Sequence, residues 1–153
     1  PLAVEWVVSA TEMETAVFKK FPTVDFAIAA AAVADFKPLA PKPHKIKKEE
    51  GIPSIELQPN PDILARMGKE KKQQFVLGFA LETQDNWKEA LAKKRRKKAD
   101  AIVMNSLTDP GAGFASDTNK INCIGENEKP KRFSLKSKNE VAKDIWNEIM
   151  DQG

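Results

Sequence analysis

A run of five residues near the middle of the chain has the composition of a helix start that could bind an anion. Asn60-Pro61-Asp62-Ile63-Leu64 places Asn at the N-cap, Pro at the first helical position and Asp in the first turn. The N–H groups of a first helical turn have no partner within the helix, so a phosphate group could bind there. The alternative is ordinary helix capping without a ligand, which the pattern alone favours.

Two groups of lysines have a spacing suited to phosphate chemistry. Lys45 lies in the run from His44 to Lys48, where alternate residues of an extended segment share one face. The alternative for this run is a solubilising edge strand. Lys93 and Lys97 are four residues apart near the end of a predicted helix, so they lie on one helix face and could bind a polyphosphate together. Basic residues there also simply complement the helix dipole, which is the alternative interpretation.

Polar residues follow three apolar runs, at points where the strands of a parallel sheet would end. They are Asp35, Glu82-Thr83 and Asn105. Ligands of such sheets bind at the carboxyl ends of the strands, so we expect the site at this edge. The small residues from Ala31 to Ala34 would let a flat ring lie against the backbone. A carboxylate at Asp35 could hold a ribose or a cation, with a turn-forming Asp as the alternative. Phe79 is either a core residue, as single-residue statistics favour, or a platform for a base.

The loop and the cysteine that come later in the chain carry weaker signals. The segment from Gly113 to Asn119, which includes Asp117, has the composition of a glycine-bearing lid or of a plain surface loop. Cys123 lies inside an apolar strand with no base nearby in the sequence, and we interpret it as a buried structural thiol. A single cysteine and a single histidine exclude an intramolecular disulfide, a cysteine-based zinc cluster and a histidine-rich metal site.

Composition sets the class of protein. Hydrophobic residues make up 41% and charged residues 31%, which is typical of a globular chain of one domain. The 25 basic and 22 acidic residues leave a net charge of +3, too small to indicate a general nucleic-acid binder. No apolar run approaches the roughly 20 residues of a membrane span, and no signal peptide is visible. We therefore expect a cytoplasmic protein that binds neither nucleic acid nor a membrane.

Alternating apolar runs and helical periodicity predict the elements that must position these residues. Strands are predicted over residues 2–8, 25–31, 75–80, 101–105, 120–124 and 132–135. Helices are predicted over residues 12–20, from Asn60 onward, and over residues 85–98 and 138–150. Between the second strand and the second helix, the proline-rich residues 36–58 form an excursion with short extended pieces. The order indicates a three-layer α/β domain with a mainly parallel sheet.

The motifs taken together resemble one enzyme family. Along the chain they are Ala31-Ala32-Val33-Ala34-Asp35-Phe36, Lys45-Ile46-Lys47-Lys48, Asn60-Pro61-Asp62-Ile63, Gly78-Phe79-Ala80-Leu81-Glu82-Thr83, the Lys93/Lys97 pair, Asn105 and Phe114 to Asn119. This order resembles phosphopantothenate–cysteine ligase of coenzyme A biosynthesis, from about Val4 to Ile149.

The resemblance implies a fold and a reaction. It implies a single Rossmann-like domain over residues 1–153, with the strand excursion at residues 36–58 used for dimerisation. The implied reaction activates the carboxylate of 4′-phosphopantothenate with CTP (or ATP), with Mg²⁺ on the triphosphate. The amine of cysteine then attacks the acyl-nucleotide. In many bacteria the ligase is fused to a decarboxylase, so flavin is expected only in such a half, outside this chain.

The resemblance also implies residue roles. The expected catalytic residues are Lys45 and Asn105. The expected nucleotide-binding residues are Asp35, Lys45, Pro61, Asp62, Ile63, Leu64, Phe79, Lys93 and Lys97. The expected substrate-binding residues are Ala31, Asn105, Asp117 and Asn119, and no residue is expected to bind a metal directly.

The chain departs from the family at its start. Members begin with a strand, a glycine-rich turn and an Asn-Ser-Ser-Gly-type segment, which nothing here matches. We therefore expect a domain that lacks its N-terminal segment and is inactive alone. One alternative is a non-catalytic nucleotide-binding or regulatory relative of the same fold. Another is an α/β module that binds RNA through Lys93 to Lys98, although no aromatic residue interleaves that run.

Overall fold

The computed structural model describes residues 2–45, 47, 54–82, 86–106 and 116–150. Of the features predicted above, Ile46, Lys48, Thr83 and the segment from Gly113 to Ala115 lie outside the described residues. The chain divides into two units, the first formed by residues 1–20 and 32–62 and the second by residues 21–31 and 63–153.

The second unit contains a five-stranded sheet in the order β1-β4-β5-β7-β8. The strands are β1 (Phe26–Ala29), β4 (Phe75–Glu82), β5 (Ala101–Ser106), β7 (Ile121–Ile124) and β8 (Pro130–Arg132). β1, β4 and β5 are parallel, β7 is antiparallel to β5, and β8 is antiparallel to β7. β8 therefore runs in the direction of β5, and the predicted mainly parallel α/β fold is confirmed. A separate antiparallel ribbon joins β6 (Thr118–Asn119) to β9 (Lys136–Ser137).

Three helices accompany this sheet: α2 (Ile63–Glu70), α3 (Trp87–Lys97) and α4 (Lys138–Met150). Val141, Ile145 and Ile149 of α4 pack with Leu77 and Val103 in one buried cluster. Successive residues of a strand point to opposite faces, and Gly78, next to Leu77, meets Leu64 of α2 instead. Helix α4 and helix α2 therefore cover opposite faces of the sheet, as a three-layer architecture requires.

The first unit contains α1 (Ala10–Lys20) and a ribbon formed by β2 (Phe36–Pro38) and β3 (Leu57–Pro59). Thr11 and Glu14 have the spacing of a capping box in the sequence, which predicts Thr11 as the N-cap of α1, but the structure caps the helix at Ser9. Ser9 Oγ accepts a hydrogen bond from the N–H of Glu12 at 3.2 Å, and the Glu12 carboxylate accepts one from the N–H of Val8 at 2.9 Å. The capping box therefore starts at Ser9 rather than Thr11, and the helix begins two residues earlier than predicted.

The predicted strand at residues 2–8 is also wrong. Leu2, Trp6 and Val8 are all more than nine-tenths exposed, and no strand among the described residues pairs with the segment. Residues with high β-propensity form a strand only when a neighbouring strand offers its edge. Composition alone therefore predicted a strand where no partner is available.

Among the described residues, no helix combines the length and the apolar character that crossing a membrane requires.

Cys123 is 1% exposed, between the backbones of β5 and β8, as the interpretation of a structural thiol requires. Burial raises the pKa of this thiol to about 12, and the nearby Glu148 carboxylate acts in the same direction. The folded protein therefore keeps the thiol proton over a pH range in which an exposed cysteine loses it.

This difference predicts a pH dependence of stability. Above about pH 8.5 the unfolded chain loses the thiol proton and the folded chain does not, so the free energy of unfolding falls as pH rises toward 10. The slope contributed by Cys123 should approach about 1.4 kcal/mol per pH unit. Denaturant melts of the wild type and of Cys123→Ala between pH 8 and pH 10 measure it. Equal slopes in the two proteins would contradict this account, as would reaction of the native thiol with Ellman's reagent at pH 8.

Candidate functional site

The carboxyl ends of the parallel strands lie at one edge of the sheet in the second unit. Glu82 pairs with Ser106, so β4 and β5 end side by side, and β1 ends at the same edge opposite Gly78, four residues earlier along β4. Ala31 lies just beyond the end of β1 and is exposed. Two of the four predicted substrate-binding residues, Ala31 and Asn105, are therefore at the edge where ligands of α/β sheets bind.

The side chain of Asn105 has an unusual environment. Its Oδ1 atom is buried and has no hydrogen-bond partner among the described residues. A buried carbonyl oxygen without a donor costs roughly 1–3 kcal/mol, so proteins rarely keep one without a use. Asn105 lies on the face of the sheet that Val103 occupies, beside Ile121 of β7. The oxygen is an acceptor that a bound N–H or O–H group could satisfy.

Asp117 and Asn119 are held by the β6–β9 ribbon at the start of α4. The carbonyl oxygen of Asp117 accepts a hydrogen bond from the N–H of Lys138, the first residue of α4, at 2.9 Å. Asn119 is 9% exposed, and its Oδ1 accepts a hydrogen bond from the N–H of Lys120. Part of the predicted loop is thus a short strand, since Thr118 pairs with Ser137. The substrate roles of Asp117 and Asn119 stay predictions.

The paired lysines lie on α3. The ammonium group of Lys93 is partly buried and donates to the carbonyl oxygen of Phe79 at 3.5 Å. Both Lys93 and Lys97 are half-buried, four residues apart on the same helix. Arg95, between them, is exposed and pairs with Glu128, whose carboxylate raises the pKa of the guanidinium. The guanidinium of Arg95 is therefore committed to a protein carboxylate.

The ring of Phe79 lies on the face of β4 that Leu77 also occupies. It packs against the buried cluster that contains Leu77 and the inner residues of α4. Lys93 thus meets the backbone of Phe79 rather than its ring. Phe79 is only half-buried, so its ring is a part of the core with an accessible surface. The role of Phe79 as a platform for a base stays a prediction.

Helix α2 begins later than predicted. The helix starts at Ile63, so Asn60 is not its N-cap. Asn60 instead donates from its side-chain amide to the carbonyl oxygen of Ala34 at 2.9 Å and from its backbone N–H to that of Asp35 at 2.8 Å. These bonds compete with capping because they continue the β2–β3 ribbon, in which Phe36 pairs with Pro59. Ile63 is buried, and Leu64 fills the space above Gly78.

The same bonds bring together three predicted residues of the first unit. Asp35, Pro61 and Asp62 flank the connection made by Asn60. Asp35 and Asp62 are exposed, and Pro61 is half-buried. Lys45 is exposed in the same unit. Of the extended piece predicted near residues 45–48, Lys45 and Lys47 are described, and neither belongs to a strand.

Two positioning features were missed from the sequence. Gly68 of α2 is buried against the end of α3, and Asp100, which follows α3, hydrogen-bonds to Val76 of β4 and to Lys71, just after α2. The signal for the first was present, because a glycine inside a helix costs about 1 kcal/mol relative to alanine and needs a reason. The signal for Asp100 was absent, since an acidic residue after a helix is typical of any turn.

The described residues contain no group of three or more His, Cys, Asp or Glu side chains that could hold a metal ion.

The geometry can be compared with known proteins. A family model described as the DNA/pantothenate metabolism flavoprotein C-terminal domain matches residues 2–152. A relative named cysteine/cysteine sulfinic acid decarboxylase, from an unknown prokaryotic organism, is 49% identical over 93% of this chain and 40% of its own length. The coenzyme A biosynthesis bifunctional protein CoaBC of Bacillus subtilis (strain 168) is 39% identical over 94% of this chain and 35% of its own length.

A solved structure agrees with these matches. The crystal structure of the C-terminal domain of the coenzyme A biosynthesis bifunctional protein CoaBC superposes with a TM-score of 0.74 and 32% identity, over 98% of this chain and 71% of that one. The chain spans about two-fifths or less of the length of the two relatives. The family model matches nearly the whole chain and the fold agrees with that of a solved member, so the chain belongs to the family of DNA/pantothenate metabolism flavoprotein C-terminal domains.

Proposed function

We propose that this chain is the part of a ligase that joins 4′-phosphopantothenate to cysteine with the energy of a nucleoside triphosphate, in coenzyme A biosynthesis. The two relatives have different names and the chain spans less than half of each, so the choice rests on the chain's own residues. The observation that carries the proposal is the buried Oδ1 of Asn105, without a described partner, at the carboxyl ends of the strands. The CoaBC relatives support the pathway.

The proposed chemistry has two steps. The carboxylate of phosphopantothenate attacks the α-phosphorus of the nucleotide, the bond to the β-phosphate oxygen breaks, and pyrophosphate leaves. The amine of cysteine then attacks the acyl carbon, an amide bond forms, and the nucleoside monophosphate leaves with the electron pair of the acyl–oxygen bond. The amine gives up a proton. Atoms and charge balance without any oxidant or reductant.

Asn105 would act at the second step. Its amide N–H₂ group can donate to the acyl oxygen, where negative charge increases as the amine attacks, and its Oδ1 can accept from an N–H of that amine. Both roles need an amide that is not already satisfied by the protein, which the lone Oδ1 supports. Ala31, Asp117 and Asn119 would line the substrate side.

Lys93 and Lys97 would offset the charge of the triphosphate. Lys93 is already oriented by the carbonyl of Phe79, which reduces the side-chain freedom lost when a phosphate binds. The first turn of α2, at Ile63 and Leu64, supplies N–H groups for phosphate oxygens. Asp35, Lys45, Pro61 and Asp62 keep the nucleotide roles proposed for them, with Lys45 stabilising charge on the acyl-nucleotide.

Magnesium fits this arrangement as a part of the co-substrate. Without a cluster of acidic ligands among the described residues, the ion would be held by phosphate and water oxygens, as magnesium bound with nucleotides usually is. We propose CTP as the nucleotide, with ATP as the alternative that a parallel titration tests.

The lysine pair gives a first test. Lys97→Glu should weaken CTP binding by about tenfold or more and CMP binding much less, because only CTP carries the negative charge of the β- and γ-phosphates. The difference should grow at low salt. Calorimetric titration of both nucleotides measures it in the natural full-length protein. Arg96→Glu is the matched control, since it makes the same charge change at the adjacent, exposed position. Equal losses for CTP and CMP would contradict a phosphate role.

Asn105 gives a test that separates function from folding. Asn105→Ala removes an oxygen whose hydrogen bond is missing, so the free energy of unfolding should fall little, or rise. Turnover should fall by about a hundredfold, as when one charge-stabilising donor is lost. The assay is pyrophosphate release with CTP, phosphopantothenate, cysteine and magnesium. Full turnover in Asn105→Ala would exclude the catalytic role.

The wild-type protein tests the alternative functions in the same assays. If it binds CTP but shows no turnover, a regulatory relative is favoured. If it binds a short RNA more tightly than CTP, an RNA-binding module is favoured.

The ribbon of the first unit supports a homodimer. Phe36, Ile55 and Leu57 are each about three-fifths exposed, and a groove of about 660 Å³ next to them is lined by residues that include Pro38, Leu39, Pro41 and His44. Exposed apolar surface of this kind is expected at a protein interface. We propose that a second copy of the chain covers it, through residues 36–58.

Sedimentation tests the dimer. The wild type should sediment with twice the monomer mass, and Leu57→Glu should shift it to monomer because a buried, unpaired carboxylate is costly. Leu135→Glu is the control, since Leu135 is also exposed but belongs to the second unit. A wild type that stays monomeric at every concentration would contradict the proposal.

A further inference from the structure

Helix α2 meets the end of α3 backbone to backbone. A Cβ atom built on Gly68 would lie 2.0 Å from the carbonyl oxygen of Lys97 and 2.9 Å from that of Lys98. Atoms of this kind essentially never approach within 3.0 Å, so a side chain at position 68 would force a displacement of about 1 Å. The obstructing atoms belong to the backbone, and no rotamer change can relieve the conflict.

The end of α3 is itself fixed. Lys98 has a left-handed backbone with φ of 51°, and its N–H donates to the carbonyl oxygen of Arg95. Two residues later, Asp100 exchanges backbone and side-chain hydrogen bonds with Val76 of β4, at 2.8 Å each. The other Asp100 oxygen pairs with the ammonium group of Lys71, just after α2. The last turn of α3 therefore cannot move away freely.

The first turn of α2 is fixed at the same time. A Cβ atom on Gly78 would lie 2.5 Å from Leu64 Cδ2, so the absence of a side chain there lets Leu64 lie directly against β4. Helix α2 is thus held between β4 and the end of α3. Gly68 is the point where the position of Lys97 and the position of α2 depend on each other.

We infer that Gly68 is a positioning residue for triphosphate binding. Because Gly68 has no side chain, the carbonyl groups of Lys97 and Lys98 can lie directly against α2. This contact fixes the position of Lys97, and of Lys93 one turn earlier, relative to the first turn of α2. This inference rests on the proposed function, because it assumes that the lysine pair binds the triphosphate. Binding of a nucleoside monophosphate depends less on the distance between the lysine pair and the first turn of α2. Gly68 therefore sets the preference for three phosphates over one.

The test measures CTP and CMP binding by calorimetry in the natural full-length protein. Gly68→Ala should weaken CTP binding by about tenfold or more, because the phosphate groups are displaced from their partners, and CMP binding by less than about twofold. In the Lys97→Ala background, Gly68→Ala should add little, since two changes that act through one group are not additive. Val141→Ala, which opens a gap in α4 on the other face of the sheet, controls for general loss of stability.

The outcomes separate the inference from the proposed function. Unchanged CTP binding in Lys97→Ala would overturn the phosphate role of the pair. Weaker CTP binding in Lys97→Ala, with wild-type binding in Gly68→Ala or fully additive losses, would overturn only the role of Gly68. If Gly68→Ala does not fold, Asp100→Ala removes the two side-chain bonds that hold the end of α3 without adding atoms, and the same selective loss of CTP binding is expected. Equal losses of CTP and CMP binding in Asp100→Ala would overturn the inference.

Discussion

The burial of strand β4 on both faces is the constraint on which the rest of the second unit depends. Val76, Leu77 and Ala80 are fully buried, and β4 pairs with β1 on one side and β5 on the other. A strand in this position exposes no edge and must be covered by helices on both faces. Leu77 accordingly faces α4, and Gly78 leaves room for α2. Helix α2 is thus placed by this strand, and α3, which carries the lysine pair, packs against α2 and β5.

Two kinds of residue stabilise the structure around β4. Apolar residues supply the packing, and polar residues such as Asp100 tie the ends of the helices to the strand through the N–H of Val76. Asn105 belongs to neither kind, because its buried Oδ1 has no described partner and contributes no stability. A protein that keeps such a group at the carboxyl end of its sheet gives up stability at the place where ligands bind.

The basic residues of α3 show how similar side chains come to differ. Arg95 pairs with Glu128, whereas Lys93 is directed toward the carbonyl of Phe79. A run of six basic residues therefore does not act as one charged patch. The backbone contact at Gly68 adds a geometric requirement to this electrostatic one, since it fixes the helix on which Lys97 lies.

The sequence by itself determined the α/β class, the order of most elements and the burial of Cys123, because hydrophobic periodicity and the punctuation by Pro, Gly and Asn are local properties. It also placed α4 at residues 138–150 without error. The residue roles came from the resemblance to a family, and the structure located the described residues in the fold. The pairing of strands and the competition between alternative hydrogen-bond partners could not be predicted from neighbouring residues in the sequence. Residues 2–8 have the composition of a strand and no described partner, and Asn60 bonds to Ala34 instead of capping α2. Only the tertiary structure decided that the side chain of Phe79 packs against the buried cluster, that Lys93 bonds to the carbonyl oxygen of Phe79, and that Gly68 lies against the end of α3. These contacts join residues that are distant in the chain, and their geometry follows from packing in three dimensions. Hydrophobic periodicity in a single sequence does not report such packing.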